Sequence, residues 1–162
     1  TTTADSWDAP LLLGTRLFNT TTDGWLRAFD ADTGSLLWSR QIQGIHWVPL
    51  VGNGDVIYAA TPDTVHALDA ATGTTRWATT VPRAGDILSN LSFASGALYY
   101  VVREKLGSRQ DDAMLAMINA KNGKVWQQHP ASLDVEYAEV TAGQSRVLVR
   151  TRGGLLYEFG KP

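Results

Sequence analysis

LRAFDADTGSLLW (residues 26–38), VHALDAATGTTRW (65–77) and LAMINAKNGKVW (115–126) repeat one pattern three times. Each has an alternating apolar stretch, then Asp or Asn, Ala, two residues, a Gly, and a Trp three or four residues later. The anchors are Asp30, Gly34 and Trp38, then Asp69, Gly73 and Trp77, then Asn119, Gly123 and Trp126. Self-similarity at a fixed period marks a repeat architecture, in which no unit buries its apolar face alone. The apolar runs are short, rich in Val, Leu, Tyr and Phe, and stop at Gly, Asn or Asp, so they read as strands. The Asp-x-x-Thr-Gly and Asn-x-x-Gly pieces between runs read as hairpin turns, with Gly at positive φ and the Asp or Asn side chain capping the turn.

Working outward, a second apolar run precedes each of these: TRLFNTT (15–21), DVIYAAT (55–61) and ALYYVVR (97–103), with a fourth, RVLVRT (146–151), before GGLLYEF (153–159). The offset is 12 residues from Leu17 to Phe29, Val56 to Leu68 and Val147 to Phe159, but 20 from Leu98 to Ile118, so the third unit carries an insertion of eight. Further upstream lie APLLLG, VPLVGNG, LSFASG and EVTAG, each closed by a Gly-containing turn. Four short strands per roughly 40 residues is the spacing of a β-propeller blade. The expectation is a single all-β domain of four antiparallel blades, at about 7–43, 45–82, 87–130 and 135–162, the last lacking its outer strand.

Composition agrees. The 162 residues are 44% hydrophobic and 19% charged, as in a compact domain with its own core. Fourteen Lys plus Arg against sixteen Asp plus Glu leave a net charge of -2, which gives no positive field to hold nucleic acid or an anionic membrane. No apolar run approaches the roughly 20 residues that span a bilayer. The first residue is Thr, not Met, and the expectation is a processed or excised piece that a signal or further blades once preceded. Without cysteine, disulfides, thiolate metal sites and a cysteine nucleophile are excluded.

The three repeated segments resemble the PQQ-like (quinoprotein-like) propeller repeat, over nearly the whole chain. The resemblance implies that the Trp of each outermost strand docks between adjacent blades against a turn glycine, which assigns a structural docking role to Trp38, Trp77, Trp126, Gly34, Gly73 and Gly123. An indole at a fixed point of each unit also suits docking physically, since it buries a large face while its N–H needs a partner. Ending after GGLLYEF, with no following Gly-to-Trp strand, the arrangement is similar to the C-terminal half of BamB-type outer-membrane assembly propellers. Rings of this kind close with seven or eight blades, so the resemblance implies half a ring. Its exposed flanks and strand edge call for a cover, either the missing half from the same precursor or a second copy. A self-closed four-blade ring is the third option.

Quinoprotein dehydrogenases hold their cofactor with a vicinal Cys pair, a Ca²⁺ site and an aspartate base. Here Cys is absent, and Asp30, Asp32 and Asp69 fall in turns, so neither PQQ nor Ca²⁺ is expected. His46, His66 and His129 form no HxH or HExxH spacing. His66 reads as a packed strand position, and His46 and His129 as loop residues. The sequons at Asn19 and Asn90 read as chance. No catalytic, cofactor-binding or metal-binding residue is assigned.

Residues 103–112, REKLGSRQDD, break the repeat and read as a loop on the face that also carries the blade-joining loops. Trp25, His46, Trp47, Arg83, Arg103, Arg109, Asp111, Asp112, His129, Glu136 and Tyr137 should rim that face, where exposed aromatics and arginines suit a protein interface. The expected function is a non-enzymatic, extracytoplasmic protein-interaction scaffold, of the kind used in outer-membrane protein assembly. Its alternatives are a ligand-sensing extracellular domain of a bacterial receptor kinase and a fragment of a PQQ-dependent dehydrogenase.

Overall fold

The computed structural model describes residues 5–6, 8–45, 48–81, 84–87, 89–104, 113–131 and 138–160. Among them the chain is strand and turn throughout, in four antiparallel sheets that are the blades of a propeller fold. The chain divides into two compact units, residues 1–78 and 79–162.

The first unit holds blade 1 and blade 2 as far as Ala78. Blade 1 is the meander β1 (Leu11–Leu13), β2 (Arg16–Thr20), β3 (Trp25–Asp30) and β4 (Leu36–Gln41). Blade 2 repeats it with β5 (Val51–Asn53), β6 (Val56–Ala60), β7 (Thr64–Asp69) and β8 (Thr75–Thr80). Alternation in β2 and β3 turns Phe18, Leu26 and Ala28 to one face, where they meet Ile57, Ala59, Leu68 and Ala70 of blade 2. Phe18, Leu26, Ile57 and Leu68 are fully buried, each worth about 1.5–3 kcal/mol in area removed from water. The ladder corrects the equal spacing read from the sequence: Leu68 pairs with Ile57, and Val56 with Asp69. Between Ala60 and Thr64 the β6–β7 turn has one residue fewer than the turn between Thr20 and Trp25, and this shifts the equivalence by one.

The second unit holds blades 3 and 4. Blade 3 comprises β9 (Ala84–Ile87), β10 (Ser92–Ala94), β11 (Ala97–Glu104), β12 (Ala113–Asn119) and β13 (Val125–Ala131). Two features depart from the sequence reading. β9 is an extra strand, which pairs with the far half of β11 on the edge that β10 occupies nearer its start. Of the insertion, expected as a loop from residue 103, only Arg103 and Glu104 are described, and both continue β11: β11 and β12 pair over seven positions, from Ala97↔Asn119 to Arg103↔Ala113, against five between β2 and β3. Val101, Val102, Met114 and Leu115 in the added pairs are apolar and buried.

Blade 4 is three-stranded: β14 (Ala138–Ala142), β15 (Arg146–Thr151) and β16 (Leu156–Gly160). Val140, Val147 and Val149 pack on Tyr99, Val101, Leu115 and Met117 of blade 3. The inner strands are also tied by hydrogen bonds. Asn90 Nδ2 donates to Val140 O and its Oδ1 accepts from Val140 N, both at 2.9 Å, while Ser92 Oγ accepts from Ala142 N at 2.9 Å. The sequon asparagine at 90 is therefore a backbone clamp.

Strand patterns separate the blades by exposure. β15 alternates strictly, one face packed and one wet, whereas Ile57 to Ala60 in β6 and Ala113 to Ile118 in β12 are buried continuously. An unbroken apolar run marks a strand covered on both faces.

Candidate functional site

The element that repeats most closely is the turn after the third strand of a blade, and in blade 2 it forms a socket. Asp69 Oδ1 accepts from Ala71 N (2.9 Å), Thr72 N (3.0 Å) and Thr72 Oγ1 (3.1 Å), which winds the turn. Gly73 closes it at φ +71°, a conformation that side chains with a Cβ rarely adopt. Trp38 of blade 1 enters this socket. Its Nε1 donates to Ala70 O at 3.2 Å, and its ring lies over Gly73, where an added Cβ would sit 2.7 Å from Cε3. Two residues on, Arg40 Nη1 donates to Gly73 O at 2.8 Å. The Phe18 ring supports the indole at 5.8 Å and 48°. Trp77 stands on Tyr58 in the same manner, 6.0 Å and 39°.

Sequence reasoning missed the donor two residues after the Trp. In the second unit Thr79 Oγ1 donates to Gly123 O at 2.7 Å, which makes Thr79 the counterpart of Arg40. The signal was present, because Trp38-x-Arg40 and Trp77-x-Thr79 both place a side-chain donor there.

Trp126 does not share this geometry. Ala28 pairs with Trp38 and Phe29 with Leu36, so Leu37 is the bulged residue of β4. In blade 3, Met117 pairs with Gln127 and Ile118 with Val125, so Trp126 is the bulged residue and Gln127 holds the register position of Trp38. Trp126 follows its glycine by three residues instead of four, and a slip of one residue moves a side chain to the opposite face. It is accordingly 45% exposed, like Leu37 at 47%. Trp126→Ala should therefore lower the unfolding free energy measured by chemical denaturation by about 1 kcal/mol or less, as a surface change does.

The expected rim is only partly described. Trp25 opens β3, half-buried, with the Arg27 guanidinium 5.5 Å from its ring centre. Arg103 lies in β11, paired with Ala113 and half-buried, not in a loop. His129 lies in β13 opposite Leu115, the register position of Arg40 opposite Leu26, so it too is a strand residue. His66 is half-buried in β7, and burial lowers its pKa. His46, Trp47, Arg83, Arg109, Asp111, Asp112, Glu136 and Tyr137 lie outside the described residues.

An open polar cavity of about 510 Å³ is lined by Thr22, Asp23, Gly24, Gln41, Gln43 and Gly44. Elsewhere the blades expose apolar side chains. Blade 1 shows Leu12, Leu36 and Leu37, and blade 4 shows Leu148, Leu155 and Leu156, the last 65% exposed.

Arg76 bridges Asp69 at 2.7 Å and Asp55 at 2.5 Å. The Arg76 hydrogen bond, reinforced by those of the turn, holds the Asp69 carboxyl down to a pKa of about 2. A carboxylate with a lowered folded-state pKa stabilises the fold above its unfolded value, near 3.8, and that contribution disappears as pH falls through about 2. Asp69→Asn should therefore flatten the acid-unfolding profile between pH 4 and 2 in circular dichroism. An unchanged profile would remove this ion pair from the account.

A family model described as outer membrane protein assembly factor BamB matches residues 22–149. The chain belongs to this family of PQQ-like propeller repeats. Its fold is shared with solved structures at low identity. The computationally designed Ika4 protein aligns over 100% of this chain and 94% of its own, with 12% identity and a TM-score of 0.79. BamB from Moraxella catarrhalis aligns over 98% of this chain at 15% identity and a TM-score of 0.59, and the chain spans 59% of that protein. Quinohemoprotein alcohol dehydrogenase from Comamonas testosteroni aligns over 79% of this chain at 16% identity and a TM-score of 0.63, and the chain spans 21% of it. No curated protein matches the sequence. Among the described residues of this BamB-family chain, no three His, Asp or Glu side chains are grouped to hold a metal ion. Asp30 and Asp69 are engaged in their own turns. No helix among the described residues is long and apolar enough to cross a membrane.

Proposed function

We propose that this chain is a non-enzymatic, extracytoplasmic protein-interaction scaffold that serves outer-membrane protein assembly. The observation that carries the reading is the apolar character of the exposed blade 1 flank. Leu36 and Leu37 are 56% and 47% exposed where blade 2 places Thr75 and Arg76. Exposed apolar side chains collected on one flank mark a surface that another polypeptide covers. Exposed Leu155 and Leu156 of blade 4 support the same reading. Membership of the BamB family supplies the biological setting.

The test is binding of immobilised chain to purified components of an outer-membrane assembly machinery. Leu36→Glu with Leu37→Glu should weaken that binding at least tenfold, about 1.4 kcal/mol, while leaving the circular dichroism unchanged. Wild-type binding that the double variant retains would reject the blade 1 flank. Reduction of a dye by the chain with added PQQ and Ca²⁺ would replace the scaffold by an oxidoreductase.

The polar cavity at Asp23, Gln41 and Gln43 favours a second reading, a sensor of a small polar ligand. A metabolite present at 100 times its Kd should stabilise the chain by about 2.7 kcal/mol in a thermal shift.

A further inference from the structure

We propose that the polar cavity beside the β2–β3 turn is a binding site for a neutral saccharide. Two turns frame it, Thr21–Trp25 between β2 and β3 and Ile42–Ile45 after β4. Ile42 N donates to Gly24 O at 2.8 Å and knits the two together, and they run so close that a Cβ at Gly24 would lie 3.2 Å from Ile42 O. The volume of about 510 Å³ falls within the roughly 300–1,000 Å³ of small-molecule sites. Its lining carries the Asp23 carboxylate, the Gln41 and Gln43 carboxamides and the Thr22 hydroxyl. Among the described residues, neither carboxamide, nor that hydroxyl, nor Asp23 Oδ2 has a hydrogen-bond partner.

Asp23 is held in place, yet the turn does not need it. Thr21, 2% exposed, donates from Oγ1 to Asp23 Oδ1 and accepts from Arg27 Nη1 at 2.9 Å. Blade 4 builds the same turn without the carboxylate. Thr151 N donates to Leu155 O and Gly154 N to Thr151 O, at 2.9 and 3.0 Å, as Thr21 N does to Trp25 O and Gly24 N to Thr21 O, both at 2.9 Å. There Arg152, Gly153 and Leu155 stand where blade 1 has Thr22, Asp23 and Trp25. Blade 1 thus adds a carboxylate and an indole to a turn that forms without either. Trp25 is half-buried and stands opposite Gln41 in the β3–β4 ladder, so its ring flanks a glutamine of the cavity wall.

With no apolar side chain among the described lining residues, a ligand must be held by hydrogen bonds. A carboxylate only accepts, whereas carboxamides and hydroxyls both donate and accept. The matching ligand carries several groups that do both, with two neighbouring donors for Asp23 and a C–H face for the indole, which describes the vicinal hydroxyls and ring of a sugar. It needs no charge of its own, because the Arg27 guanidinium already balances Asp23 through Thr21. The proposal rests on the second reading, a sensor of a small polar ligand, and gives that ligand its class.

The test titrates the ¹⁵N-labelled full chain with maltose, cellobiose and lactose at tens of millimolar. The side-chain amide signals of Gln41 and Gln43 and the Trp25 indole N–H should shift with at least one of them. Asp23→Ala should weaken binding at least tenfold with the circular dichroism unchanged, and Gln43→Ala several-fold. Putrescine, a dication, should bind more weakly than the best sugar. No shift of these signals with any of the sugars, full binding retained by Asp23→Ala or by Gln43→Ala, or tighter binding of putrescine would each overturn the saccharide. A charged metabolite that raises the thermal midpoint while no sugar moves Gln41 would sink the saccharide and leave the sensor reading standing.

Discussion

Trp38→Ala should lower the stability of the chain by about 3 to 5 kcal/mol, the usual cost of removing a large aromatic from a packed site. Three losses coincide in that change. The ring leaves Gly73 and the Phe18 face bare, the indole donor abandons Ala70 O, and the tie between blade 1 and blade 2 is reduced to the Arg40–Gly73 hydrogen bond and the apolar contact below it. Ala70 is only 5% exposed, so its carbonyl is left with little water to replace the lost donor. For a chain of this length each kcal/mol lowers the thermal midpoint by about 2–4 °C, which makes the expected drop roughly 10 °C. Against a total margin of about 5–15 kcal/mol that is a large share. A midpoint within about 2 °C of the wild type would show that the indole carries little of the packing between these blades.

Gly73→Ala and Gly34→Ala form a matched pair that isolates the socket. Both glycines sit at nearly the same φ, +71° and +70°, so both substitutions incur the same left-handed strain, about 1–2 kcal/mol. Only at Gly73 does the new methyl collide with the indole, with contacts of 2.7 to 2.9 Å to three ring atoms. The ring must move or the turn must open, and forced overpacking of this kind costs roughly 1–3 kcal/mol more. Urea unfolding should therefore separate the two variants clearly, Gly73→Ala being the weaker. The two effects at the docked pair should also fail to add. In a Trp38→Ala background the collision is gone, and Gly73→Ala should fall back to the cost seen at Gly34. Equal losses in both single variants would mean that backbone strain alone governs these turns.

How far the chain could be read in advance differs between its parts. The blades were legible because their apolar runs keep a period of two and stop at glycine turns, a pattern that survives a shift of one residue in the exact register. The turn chemistry was legible for a similar reason: Asp30, Asp69 and Asn119 accept from nearby backbone N–H groups, which is a local matter. β9 was not, because Ala84-Gly-Asp-Ile is too short and too polar to announce a strand, and only the length of β11 gives it a partner. The insertion looked polar at Arg103-Glu104-Lys105, and a loop was the natural reading. Pairing continued past its start because Ala113, Met114 and Leu115 on the opposite strand could bury themselves there.

Trp126 shows the boundary most plainly. Its spacing of three from Gly123 was visible, but whether one missing residue is absorbed in the turn or in the strand depends on where the bulge falls, and the ladder with β12 sets that. By itself the amino-acid order determined that this is a repeat of antiparallel blades, since hairpins, turn caps and alternation are short-range preferences written into each unit. Only the tertiary structure decided which of three similar tryptophans is left exposed and which of the matching turns is covered. Those outcomes depend on a second sheet arriving at a particular register, and no segment carries that information alone.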